Sequence, residues 1–329
     1  MSYPARSSRT SMFSARILAA SLALALAACG GGGGGSSGGG SVTPTTFTSW
    51  GALPASTPVN INGMSVTRTS GGAVSTDTAA SRAGVIYNAR TSGGLRGFTF
   101  TTPATSASWT ISSGSSLSCA GGLCALANSG QTVIGAISDP YHATNAWSYQ
   151  SFGAWSIPSG AGSAISAMSF GAPTAGAALP VAGTATYTGS VVGRYVAAAG
   201  DFIGVPAGTQ FGMGASLQAD VNFATRQIGL STSGTALLRQ GDTPPPFGDV
   251  RFDILNPAQA TLSYAPGTNS FSGTVAASSN ALGLNGQMNG RFYGPGGQEL
   301  GGTMSLNTAA GGALTSIFAR RGAGRRGGA

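Results

Sequence analysis

From residue 183 onward, apolar side chains fall on every second position. Leu217, Ala219, Val221 and Phe223 alternate with Gln218, Asp220 and Asn222, and Val250, Phe252 and Ile254 alternate with Arg251 and Asp253. Ala260, Leu262 and Tyr264 continue the rule, followed by Phe271, Gly273 and Val275. Leu282, Leu284, Met288 and Phe292 stand opposite Asn285, Gln287, Asn289 and Arg291, and Leu300, Met304 and Leu306 come next. A period of two puts one kind of side chain on each face of an extended chain, so these runs predict half-buried strands. With Ala185-Thr186-Tyr187, Ile228-Gly229-Leu230 and the run from Ala313 to Phe318, the count is eight or nine strands. Antiparallel sets of this size commonly remove their edges by closing into a barrel. Alternation alone does not say which face is inside, so a membrane-spanning barrel is the rival reading.

The preceding stretch, from Phe47 to about Phe170, is also rich in short strand-like runs. They are Val59-Asn60-Ile61, Ser65-Val66-Thr67, Phe98-Thr99-Phe100, Trp109-Thr110-Ile111 and Val133 to Ile137. Glycine and serine clusters such as Ser70-Gly71-Gly72 and Ser92-Gly93-Gly94 separate them as turns. No segment here holds a helical period over three turns. Ala172 to Pro180 is small residues and proline and reads as a linker between two β-rich domains.

The N-terminus has a different pattern. Arg6, Arg9 and Arg16 precede an apolar run from Ile17 to Ala27, broken only by Ser21, with no acidic residue before it. A basic start, a short apolar core and small residues describe a secretory signal, too short to span a bilayer. Leu26-Ala27-Ala28-Cys29 resembles the lipobox of bacterial lipoproteins. That resemblance implies that Cys29 is acylated and becomes the first mature residue, with the outer membrane as partner through its lipid anchor. One acyl chain holds a protein only marginally, and the three carried by bacterial lipoproteins hold it firmly. Gly30 to Ser41 is glycine and serine only and behaves as a flexible tether. Gly30, in place of the aspartate that retains such proteins at the inner membrane, favours the outer membrane.

Composition narrows the function. The formal charge of +8 comes from sixteen arginines against eight acids. Three arginines lie in the signal and four in the tail (Arg320, Arg321, Arg325, Arg326), leaving nine against eight in the body. A body near neutrality has no basic face, which argues against a nucleic-acid partner. Besides Cys29 there are only Cys119 and Cys124, in Ser-Cys-Ala-Gly-Gly-Leu-Cys, where the glycines let the chain turn back on itself. Outside the cytoplasm this predicts a disulfide that pins a hairpin. As a metal site the pair lacks ligands, and none lies nearby in sequence, so no metal is expected.

Catalysis finds little support, and the chain reads as a non-enzyme. There is no lysine, which excludes a P-loop and a Schiff-base lysine. The one histidine, His142, has no nucleophile elbow to serve, since the match Gly35-Ser36-Ser37-Gly38-Gly39 falls in the tether. Paired carboxylates are the remaining option for acid–base work, since Asp249 and Asp253 flank a strand-like run with Asp242 nearby, and their plainer role is solubility. His142, in Asp139-Pro140-Tyr141-His142, is a candidate haem ligand or a polar turn residue. Haem inside the barrel competes with at least fifteen large apolar inward side chains, so no cofactor is expected. Tyr141, Trp147, Tyr149, Phe152 and Trp155 place five aromatics in fifteen positions, where the chain average of 8% gives about one. They serve either as core where the two domains meet or, at Tyr141 and Trp147, as a binding surface. Pro244-Pro245-Pro246-Phe247 is a stiffened loop suited to recognition or to plain connection.

Several segments carry a resemblance. Gly183 to Gly189 (Gly-Thr-Ala-Thr-Tyr-Thr-Gly), Asp220-Val221-Asn222-Phe223, Gly290-Arg291-Phe292-Tyr293-Gly294-Pro295 and Glu299-Leu300-Gly301-Gly302-Thr303 resemble the β-barrel of transferrin-binding protein B. Ile317-Phe318-Ala319-Arg320-Arg321 is similar to that family's terminal strand. The resemblance implies an all-β fold: an eight-stranded antiparallel up-and-down β-barrel preceded by a β-rich, handle-like domain. It also implies a surface lipoprotein that binds a protein or a small nutrient carrier, in iron or solute capture. A coat lipoprotein with no soluble ligand is the rival. The lysine-rich loops of the pathogen receptors are absent. The glycines of 294–297 read as a tight turn, and Gly301-Gly302 as room for a large neighbour such as Phe292 or Tyr293. The expected organisation is a signal peptide (1–28), a lipidated linker (29–46), a handle-like domain (47–171), a linker (172–182), a barrel (183–321) and an Arg/Gly tail (322–329).

Overall fold

The computed structural model describes residues 49–53, 55–56, 58–87, 94–111, 115–120, 122–128, 134–142, 147–159, 162–239, 260–276, 283–308 and 311–322. Cys29 and its tether, Pro244 to Phe247, Leu282 and the strand read at Val250 to Ile254 lie outside these residues.

Ten strands build a first sheet: β1 (Val59–Arg68), β2 (Val74–Asp77), β3 (Arg82–Tyr87), β4 (Leu95–Thr101), β5 (Ser106–Thr110), β6 (Ser116–Ala120), β7 (Leu123–Ala127), β8 (Ile134–Ser138), β9 (Gln150–Ser159) and β10 (Gly162–Gly171). Eight more follow: β11 (Thr184–Val196), β12 (Gln210–Asn222), β13 (Gln227–Arg239), β14 (Ala260–Tyr264), β15 (Ser270–Ala276), β16 (Asn285–Tyr293), β17 (Glu299–Asn307) and β18 (Ala313–Gly322). The second set pairs in chain order and closes β18 onto β11, an up-and-down barrel. The first runs β5-β4-β3-β1-β10-β9-β8-β7-β6, with β2 on the side of β1. It curls, because Trp109 on β5 donates its indole N–H to the Ala127 carbonyl on β7 at 3.0 Å.

In the barrel the apolar half of each alternation points inward. Leu217, Ala219 and Val221 are buried while Gln218, Asp220 and Asn222 are exposed. Tyr187, Phe211, Leu230, Leu262, Phe271, Met288, Phe292 and Met304 share one core inside the cylinder. Side chains of this size fill an eight-stranded interior. A barrel that sits in lipid is built the other way, with its apolar face outward. Among the described residues no helix is long and apolar enough to cross a membrane.

One wall of the cylinder is covered on both sides. On β11, Val191 belongs to the barrel core and its neighbour Val192 to the core of the first sheet. On β17 every residue from Glu299 to Leu306 is buried. Leu300, Met304 and Leu306 enter the barrel core, so the alternate positions, Glu299, Gly301, Thr303 and Ser305, face the first sheet. The room at Gly301 is therefore used differently from the sequence expectation. A Cβ there would meet the Gln150 carboxamide and the Ser169 hydroxyl of the first sheet, not a ring across the barrel strands. The ring over a glycine is that of Phe271, which lies on Gly290. The turn at 294–297 is as expected, with Gly294 at φ 84° and Gly297 at φ 75°.

Candidate functional site

The sequence candidates Tyr141, His142 and Trp147 all fall in the connection from β8 to β9, where the first sheet meets the barrel. The connection opens with Asp139, buried to 2% exposure, whose amide donates to the Gly122 carbonyl at 2.8 Å. The Asp139 carboxylate accepts the Tyr141 amide at 3.1 Å, and the His142 amide donates to the Asp139 carbonyl at 3.2 Å. These bonds make a side-chain-capped turn, the geometry that Asp-Pro favours. His142 is half-buried on that turn.

The aromatics work as packing groups. Tyr141 donates its hydroxyl to the Trp50 carbonyl at 3.1 Å, and its ring meets Tyr87 edge-on at 5.1 Å. Burial, then the nearby Tyr141 and Asp139, holds the Tyr87 phenol well above its ordinary pKa. Trp50 donates its backbone N–H to Ser148 O at 2.8 Å and its indole N–H to Gln150 O at 2.7 Å. Trp147 is 7% exposed and packs edge-on against Phe152 at 5.5 Å. Phe152 and Trp155 are buried in the same core. Of the two roles open to these rings, the structure places Trp147 in the core; Tyr141 is half-buried and packed against it.

The element that positions this loop was not legible as a site. Glu299, the chain's single glutamate, is 1% exposed at the first position of β17. Its carboxylate accepts three consecutive amides: Ser148 at 2.6 Å, Tyr149 at 2.9 Å and Gln150 at 3.0 Å. Such charge-assisted bonds offset the desolvation of a buried charge. Around it, Gln150 donates to the Leu300 carbonyl at 2.8 Å, and Ser169 and Tyr293 share a hydroxyl bond at 2.8 Å. A second strap uses the segment before β11: Thr174 donates its amide to Phe292 O at 2.9 Å and its hydroxyl to Gly294 O at 2.6 Å. Asn269 donates its side-chain amide to the Thr174 carbonyl. The signal available in sequence was a lone acid flanked by glycines, which let a second sheet approach closely.

Chemically, this junction is a fastener. A carboxylate whose oxygens receive three amides has no free basic role, and the surrounding hydroxyls are held in structural pairs. The opposite rim of the barrel is different. There β11 ends and β12 begins, as do β13 and β14, β15 and β16, and β17 and β18. In the β11–β12 loop, Asp201 accepts the Tyr195 hydroxyl and the Ala198 amide, both at 2.5 Å. Burial, then the Asp201 bond and its charge, pushes the Tyr195 phenol far above its ordinary value. Phe202 packs on Tyr195 and Phe211 at 5.8 and 5.7 Å. The next side chain, Ile203, is fully exposed at the tip. Sequence reading gave this loop no role.

Comparison with known proteins bears on the barrel. Residues 179–321 match the family described as the C-lobe and N-lobe β-barrels of transferrin-binding protein B. Its first residue, Leu179, lies in the barrel core. Solved structures that are similar include isotype 1 transferrin-binding protein B from serogroup B Neisseria meningitidis, at 16% identity, 80% of this chain, 43% of that chain and a TM-score of 0.47. A Trp-176-Ala mutant of transferrin-binding protein B from Haemophilus parasuis Hp5 is similar at 14% identity, 80% of this chain, 45% of that chain and a TM-score of 0.44. The N-lobe domain of lactoferrin-binding protein B from Moraxella bovis is similar at 14% identity, 54% of this chain, 77% of that chain and a TM-score of 0.31. The chain spans less than half the length of the two transferrin-binding protein B structures. No curated protein sequence matches it.

Proposed function

We propose, from the match of residues 179–321 to the family of transferrin-binding protein B β-barrels, that the chain is a non-enzymatic binding protein of the bacterial outer-membrane surface. Acylated Cys29 anchors it, and the glycine-serine tether holds it off the lipid. Its ligand is a protein or a small nutrient carrier, taken up in iron or solute capture. The observation that carries this reading is the distribution of free surface. The cylinder's interior is occupied by its own apolar side chains and one side wall is covered, which leaves the rim as the place where loops can differ and bind.

The rim loop 197–209 supports it. Gly200, Gly204 and Gly208 shape its turns at positive φ and the Asp201 bonds to Tyr195 and Ala198 brace the base beneath the exposed Ile203, which lowers the entropy lost on binding. Pro244 to Phe247, which fall in sequence between β13 and β14, remain a second candidate binding segment. Tyr141 and Trp147 act as supports beneath the turn that carries His142.

The test immobilises the full-length chain and passes over it iron-loaded transferrin and, separately, whole host plasma and spent growth medium. A protein retained by the wild type and released by Ile203→Asp supports the reading. A wild type that retains nothing overturns it in favour of a coat lipoprotein. Metabolic labelling with a clickable palmitate tests the anchor: the label is expected on the wild type and lost from Cys29→Ser.

A further inference from the structure

The disulfide hairpin carries a third metal-ligating group that the linear sequence hides. Cys119 on β6 and Cys124 on β7 are direct cross-strand partners and are joined by a disulfide. Strand β8 pairs with β7 on its other side, with Ser138 opposite Leu123, and so delivers Asp139 beside the hairpin turn. The Asp139 amide is fastened there by the Gly122 carbonyl at 2.8 Å. As a result both sulfurs and a carboxylate oxygen of Asp139 lie within 4.8 Å of one another. Cys124 and Asp139 are buried and Cys119 is half-exposed, so the cluster has one open side. The sequence expectation that no ligand lies near the cysteines is corrected by this geometry.

We propose that, when the Cys119–Cys124 bond is reduced, the first sheet binds one Zn²⁺ through the two thiolates and the Asp139 carboxylate. Two thiolates beside a buried carboxylate repel one another, and a divalent cation at their centre removes that repulsion. Two sulfurs and one oxygen suit Zn²⁺, and three protein ligands leave a fourth position for water on the open side. The reaction balances. An external dithiol gives two electrons and two protons to the disulfide and itself becomes a disulfide; Zn²⁺ then displaces the two thiol protons. The two cysteines sit on paired strands and Asp139, one residue past β8, is tied to the hairpin turn through its amide, so the site requires rotation of side chains and no refolding. It is independent of the proposed ligand at the rim.

The experiment uses the full chain, untreated or reduced with a non-thiol phosphine, then equilibrated with Zn²⁺ and desalted. Metal analysis is expected to give one zinc per chain after reduction and none before. Co²⁺ added in place of Zn²⁺ is expected to show thiolate-to-metal charge-transfer absorption only in the reduced chain. Asp139→Asn keeps an acceptor for the Tyr141 amide, preserves the turn, and is expected to weaken zinc by about 100-fold, as loss of a ligand exceeds loss of an outer partner. Cys119→Ser with Cys124→Ser is expected to bind none in either state, and its circular dichroism checks that the sheet folds without the bond. A reduced, folded chain that takes up no zinc overturns the proposal. So does an Asp139→Asn variant with unchanged affinity, or loss of the sheet on reduction.

Discussion

Replacing Glu299 by glutamine is the sharpest test of how the two sheets are held. One carboxylate oxygen takes the Ser148 amide, and the other takes those of Tyr149 and Gln150. A glutamine presents one acceptor and one donor. With its oxygen on the Tyr149 and Gln150 side, its NH₂ faces the Ser148 N–H, donor against donor. An orphaned buried donor costs about 1–3 kcal/mol, and bonds to a neutral acceptor give about 1 kcal/mol less each than bonds to a charged one. The expected loss is therefore about 3–5 kcal/mol, partly offset because a neutral group is cheaper to bury. Urea unfolding at neutral pH, followed by circular dichroism, reads the difference as a lower midpoint at unchanged slope. Hydrogen exchange should show faster exchange at the amides of 148–150 than in the wild type. A variant within about 0.5 kcal/mol of wild type, with those amides still protected, would refute the reasoning.

Gly301→Val drives a branched side chain into Gln150 and Ser169, and a loss of about 1–3 kcal/mol is expected in the same denaturation assay. Trp147→Ala empties a core position, so it should cost about 3–5 kcal/mol of stability; a fully stable variant would return Trp147 to the list of binding residues. Tyr195 has a folded pKa above its unfolded one, so its contribution is complete below about pH 10 and is lost as pH rises further. Alkaline titration by tyrosine absorbance should find Tyr195→Phe less base-sensitive than wild type and its 197–209 loop more readily cut by protease.

The barrel was largely legible because most of its wall is wet on one side. Leu217 to Phe223 and Phe271 to Val275 show the alternation, and both are inward-facing strands with polar partners outside. The first sheet was harder to read. Val59-Asn60-Ile61 and Ser65-Val66-Thr67 look like two runs and are one strand, and β3, β9 and β10 gave no clear signal. In β10, Ala164 to Phe170 is buried throughout, serines included, because it has core on one face and the barrel on the other. A strand covered on both faces loses the contrast that alternation depends on. The junction was illegible for a related reason. Glu299 and Ser148 are brought together only by tertiary packing, and no local pattern records a contact across half the chain. Asp139 reaches the cysteines by strand order, which spacing does not reveal.

The filled cylinder has a consequence for how such a molecule diversifies. A container evolves by reshaping its cavity, where every change also strains the packing. Here stability resides in the wall and its contents, while the exposed tips of the crown of connections at one end, such as Ile203, bear little of it. Foreign peptides spliced into that crown should be carried without loss of fold, so the same frame can change what it grips while its architecture stays constant.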